Sequence, residues 1–144
     1  MDLICTVAFE APAVEAGGTL EGRVRLLEDT SAVRTAQSMR LRAICRIEGP
    51  GEPESRVLSI AELPGPFHPR MEVPFTLSLP ERVPTSYQGI VLRIGWHLLV
   101  QLMTPEDGSP EREVSFRVVP ARASTRRPPA QRPASSQRSG RMPA

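Results

Sequence analysis

The chain has 144 residues, enough for one domain of ordinary size and too few for two independent cores. Sixteen prolines, ten glycines and an aromatic content of 4% disfavour long helices and coiled coils and favour short strands joined by turns. The formal charge of +2 is uneven: six of the 18 basic residues, all arginine, fall after residue 119 with no acid among them, which leaves twelve against 16 acids and a body of about −4.

The opening MDLICTVAFEAP has no basic segment followed by a long apolar stretch, so no signal peptide is expected. No run approaches the roughly 18 apolar residues that span a bilayer. A soluble, cytoplasmic protein is the reading. Cys5 and Cys45 are expected to be reduced and buried as small hydrophobes.

Period-two alternation then recurs along the body, the signature of strands with one buried face. Leu3, Cys5, Val7 and Phe9 face inward on the first strand, and Leu20, Gly22, Val24 and Leu26 on the second. The third sets Met39, Leu41, Ala43, Cys45 and Ile47 inside, and GPGEPE at 49–54 is a turn by composition. A fourth strand, around Arg56 to Ala61, has Leu58 and Ile60 as inward residues, and the prolines of ELPGPFHPR then interrupt pairing. Val73, Phe75, Leu77 and Leu79 face inward on the fifth, where Pro74 implies an edge strand or a bulge. The sixth, running on from Ile90, buries Leu92, Ile94, Trp96, Leu98, Val100 and Leu102 and is expected at the centre of its sheet. TPEDGSPER at 104–112 is a turn with Asp107-Gly108 at its tip, and Val114, Phe116 and Val118 form the last strand. About seven strands predict an all-β fold, a two-sheet antiparallel β-sandwich of immunoglobulin-like type, over residues 1–119. Residues 120–144, rich in arginine, proline, serine and alanine, read as a disordered basic tail.

Two segments carry a resemblance. Phe75-Thr76-Leu77-Ser78-Leu79-Pro80, then Pro84-Thr85-Ser86-Tyr87-Gln88-Gly89 and a long apolar strand, resemble the arrestin family, in which a strand ending in proline leads to a P-S-Y/F-x-G turn and a strand of I-x-Y-x-V type. Upstream, Ala16-Gly17-Gly18-Thr19-Leu20-Glu21-Gly22-Arg23-Val24 is similar to the family's P-G-E-x-V-x-G-x-V segment, with Ala16 in place of the proline and Gly18 in place of the glutamate. The resemblance implies one arrestin-like lobe, like an arrestin N-domain. Conventional arrestins, bacterial arrestin-like sporulation-control proteins and the arrestin-shaped retromer subunit have two. Physically these are fold residues: Pro80 stops a strand, Pro84 stiffens the loop, Tyr87 packs its ring with its hydroxyl on a backbone group, and Gly89 permits a tight turn. Arrestins read phosphorylated receptor tails through basic residues near the chain start. Val7 to Pro12 holds none, so no family binding residue transfers.

No catalytic, cofactor or metal motif is present. His68 and His97 lack ligand spacing, and Cys5 with His97 is the one cysteine and histidine pairing to weigh, with the two facing opposite ways. If the second and third strands share a sheet, Arg23, Arg25, Arg40, Arg42 and Arg46 form a basic face for a carboxylate-rich or phosphorylated peptide or an anionic lipid surface. The plainer reading is a solvated face in which Glu21 and Glu48 pair some of them. Arg122, Arg126, Arg127, Arg132, Arg138 and Arg141 give the tail non-specific affinity for phosphates or for an acidic partner, and its RRPPAQRP run suits an extended proline-rich ligand. A plain terminal linker is the bland alternative. The resulting expectation is a non-enzymatic adaptor or scaffold, without cofactors, that binds protein partners by a sheet edge or face. It includes a homodimer through the side a second lobe would cover. The alternative is an accessory protein that binds nucleic acid or anionic membrane through the tail.

Overall fold

The alternating segments pair into two antiparallel sheets in a computed structural model that describes residues 2–105 and 109–121. One sheet has the order β1 (Cys5–Phe9), β3 (Thr19–Leu26), β6 (Glu72–Ser78). The other runs β5 (Glu54–Pro64), β4 (Ser38–Glu48), β8 (Arg93–Met103), and the far side of β8 is shared by β7 (Tyr87–Gln88) and β9 (Glu111–Phe116). A third, parallel pair joins β2 (Val14–Glu15) to β10 (Val118–Val119). The one helix among the described residues is α1 (Ser31–Thr35). The sandwich expected from periodicity is what forms.

The inner faces match the reading of the sequence wherever strands are regular. β3 alternates buried and exposed residues along its length, and so does β6, whose edge position suits Pro74. Met39, Leu41, Ala43 and Cys45 of β4 and Trp96, Leu98, Val100 and Leu102 of β8 are buried opposite them. Each buried leucine, valine or methionine side chain contributes about 1.5–3 kcal/mol by leaving water, which offsets the entropy of ordering the strands. Cys5 and Cys45 are free and buried, and burial pushes both thiols above their usual pKa.

Four of the chain's few aromatic residues link the sheets. Phe75 meets Phe9 edge-on at 6.4 Å, Phe9 meets Phe116 at 5.9 Å, and Phe116 meets Trp96 at 5.8 Å. Gly22 makes room for this row. A Cβ there would stand 2.5 Å from the Ala8 carbonyl oxygen and 2.8 Å from Phe75 Cζ.

The structure corrects several expectations. Ile60 points outward, because a bulge in β5 opposite Ala43 and Ile44 makes Leu58 an extra residue and reverses the parity on either side, leaving Ala61 and Leu63 against the core. Pairing runs past Ala61 into the proline segment, since β5 continues to Pro64 opposite Ser38. β8 begins at Arg93, and Ile90, Val91 and Leu92 are exposed because the Gly89 N–H donates to the Leu92 carbonyl at 2.9 Å and closes a turn. Val118 does not continue the last strand but crosses to β2. Helix α1 was not foreseen; Thr30 caps it by accepting from the Val33 N–H at 3.3 Å, and Val33 and the loop residue Phe67 enter the core. Asp107-Gly108 and the tail from residue 122 lie outside the described residues.

Replacing Gly22 with alanine is expected to destabilise the fold by about 1–3 kcal/mol, because the added methyl meets backbone on one side and a packed ring on the other. A urea titration that gave an unchanged midpoint would show that this approach is not tight.

Candidate functional site: a groove beside strand β8

β8 has one far side and two partners for it. β9 follows it from Gln101 to Trp96 and then leaves, because the Arg117 carbonyl accepts from Val14 N at 2.9 Å and the chain continues into β10. β7 takes up the same side at Ile94 and Arg93. Between them lies Gly95, and there an open groove of about 680 Å³ forms, with Arg93, Arg117, Tyr87 and His97 among its lining residues. Gly95 adds no side chain to its floor.

The loop that walls the groove is held from below. Trp96 donates its indole N–H to the Pro84 carbonyl at 2.8 Å. The Ser86 backbone N–H donates to the Val118 carbonyl at 2.8 Å, and its hydroxyl accepts from Val118 N at 2.9 Å. Tyr87 departs from expectation. Its ring is largely exposed and its hydroxyl has no partner among the described residues, so Trp96 and Ser86 do the fastening assigned to it. Gly89 is tight against backbone, since a Cβ would stand 2.9 Å from the Leu92 carbonyl oxygen, besides 2.5 Å from the movable Tyr87 ring.

Charge is arranged in two ways. On the outer face Glu113 of β9 forms a two-point pair with Arg46 of β4, one arm at 2.7 Å, and lies 3.4 Å from His97 Nδ1. The hydrogen bond from Arg46 holds the Glu113 carboxyl below its usual range and raises the guanidinium's own pKa. Arg93 and Arg117, both exposed, have no carboxylate within ion-pair distance among the described residues, although Glu48 stands opposite Arg93 in register.

No protein-family model and no curated protein sequence matches the chain. Its structure is similar to the crystal structure of the sporulation control protein Spo0M from Bacillus subtilis, with a TM-score of 0.61 over 85% of this chain and 51% of that one, at 17% identity. The fold is arrestin-like. This chain spans about half the length of the protein it matches. The two motif segments meet in the arrestin-like sandwich, where Gly17 N–H donates to the Pro80 carbonyl at 3.0 Å and Leu79 N–H to that of Gly18 at 2.9 Å.

That sandwich divides the predicted basic face. Arg23 and Arg25 sit on the outer face of the three-stranded sheet, near Glu10 at 3.6 Å and Glu72 at 3.9 Å. Arg40, Arg42 and Arg46 sit on the outer face of the other sheet, on the opposite side of the molecule, with Arg40 near Glu62 at 3.3 Å. The second and third predicted strands therefore do not share a sheet. The acids within ion-pair distance are others than Glu21 and Glu48, although Glu48 still acts on Arg46 electrostatically. Of the five arginines only Arg46 lines the groove, and the six tail arginines fall outside the described residues. Cys5 is in the core and His97 on an outer face, with no contact between them. Among the described residues no three metal-binding side chains cluster, and no helix is long and apolar enough to cross a membrane. Arg93, Gly95 and Arg117 were missed, although a glycine inside an apolar strand is itself a signal of close approach or irregular pairing.

Because the folded Glu113 carboxyl has a lowered pKa, its contribution is present above the unfolded carboxylate pKa and fades as pH falls through the folded one. With both side chains of the Arg46 pair about one-third exposed, Glu113→Gln should cost only about 0.5–1 kcal/mol at neutral pH. Denaturant midpoints of wild type and variant should converge on acidification. A gap that persisted at low pH would mean the loss is packing and not charge.

Proposed function

We propose that this protein is a non-enzymatic interaction module, an adaptor or scaffold built on a single arrestin-like sandwich, and that the groove beside β8 receives a carboxylate-bearing segment of a protein partner. The observation that carries this reading is the presence of Arg93 and Arg117, two exposed guanidinia without an ion pair among the described residues, in a groove with exposed Tyr87. Arginine and tyrosine are the residue types that concentrate binding energy at interfaces, and an unpaired guanidinium fork favours a carboxylate in two-point geometry. Similarity to a sporulation control protein favours a regulatory role over a metabolic one. Two free, buried cysteines favour a reducing compartment, the cytoplasm.

A second reading rests on the six arginines without an acid after residue 119, which suit phosphate-rich nucleic acid or anionic membrane. Affinity capture from the native host separates the two, with the full chain, the Arg93→Glu/Arg117→Glu variant and a chain lacking 120–144 as baits. Partners retained without the tail and reduced about tenfold or more by the double reversal support the groove. Binding indifferent to the reversal removes that reading. Loss on tail deletion together with steep salt dependence establishes the second.

A further inference from the structure

Strand β5 pairs only with β4 among the described residues, so the other side of its backbone from Glu54 to Pro64 has no ladder partner. Its middle, Val57 to Ala61, contains no charge, proline or glycine. Val57 and Ile60 stand on the outer face at 47% and 61% exposure. An edge of this kind is a template for another strand.

The bulge decides which strand fits. Val57, opposite Ile44, and Ile60, opposite Arg42, both face outward although they are three residues apart. Between them Leu58 packs on the core and Ser59 turns inward, donating its hydroxyl to the Ser78 carbonyl at 2.8 Å. A regular strand laid along β5 matches its faces on one side of the bulge and mismatches them on the other. A strand with the same irregularity matches throughout, and a second copy of β5 is such a strand.

Run antiparallel with Val57 opposite Ile60 of the second copy, every residue meets one from its own face: Ser55 faces Glu62, Arg56 faces Ala61 and Leu58 faces Ser59. Any other register spanning the whole strand sets an outward residue against an inward one. Charge is compatible with the same register. Glu54 meets Leu63 of the second copy, no like charges oppose, and the Ser55 hydroxyl stands where it can donate to the second copy's Glu62 carboxylate. Arg56 and Glu62 keep their partners within the chain, Glu54 at 3.9 Å and Arg40 at 3.3 Å.

We propose that the protein forms a symmetric homodimer by antiparallel pairing of β5 with β5, joining two five-stranded sheets into one, with Val57 and Ile60 of both copies clustered across the seam. A bulge ordinarily blunts a sheet edge against association. Here it makes the edge selective for its own copy.

The test uses the full chain. Sedimentation across a concentration series should show a monomer–dimer equilibrium, weakened about tenfold or more by Ile60→Lys, which places a charge in the apolar seam. Val57→Lys, at the other exposed position, guards against a folding artefact and should act alike, with circular dichroism unchanged. Register is read by cross-linking under a mild oxidant: a mixture of Val57→Cys and Ile60→Cys copies should give a disulfide-linked dimer, and neither variant alone should. A monomer at every concentration, a dimer indifferent to both lysine substitutions, or cross-links within either single variant would overturn the proposal.

Discussion

The structure depends on one buried contact, the seating of Trp96 between the two sheets. Its indole N–H is held by the Pro84 carbonyl, and its ring begins the aromatic row that passes through Phe116 and Phe9 to Phe75. A chain with so few aromatic residues places four of them in that row, where each adds specific ring geometry to its buried area. The same tryptophan anchors the loop that walls the groove. Core and candidate site thus share a fastening, and the opening beside β8 has a rim anchored to the core.

Edges organise the rest. A two-sheet sandwich leaves strand edges open, and this one treats each differently. The far side of β8 is divided between two short claims, β7 and β9, and the gap between them becomes the groove. β6 ends its sheet with Pro74 on board, and β5 ends the other with a bulge and an apolar centre. The candidate binding surfaces of this arrestin-like lobe therefore lie where pairing stops.

Regular strands were legible because burial on one face forces a period of two, and Leu20 to Leu26 or Val73 to Leu79 can satisfy it in only one way. The sequence was less informative wherever a backbone contact overrode the pattern. Ile60 was assigned inward because its parity was counted through Leu58, and no local residue announces that bulge. Ile90 to Leu92 read as a strand by composition, yet a single hydrogen bond from Gly89 to Leu92 folds them into an exposed turn. The five arginines were grouped by local alternation, which is silent about which sheet a strand joins. Arg93 and Arg117 share a groove because β9 departs toward Val14, a choice made by partners far away in sequence.

The parallel pairing of Val118 and Val119 with Val14 and Glu15 has a consequence for how the molecule is made. Its two strands come from near opposite ends of the described chain, so this closure is among the longest loops the fold must shut and the last to become available during synthesis. Until β10 has left the ribosome, Ser86 has no Val118 to hold, and the wall of the groove has only its Trp96 fastening. A nascent lobe can assemble much of its core early, but the wall of the groove is completed only once β10 is free to pair. The order of synthesis thus separates core assembly from completion of the groove.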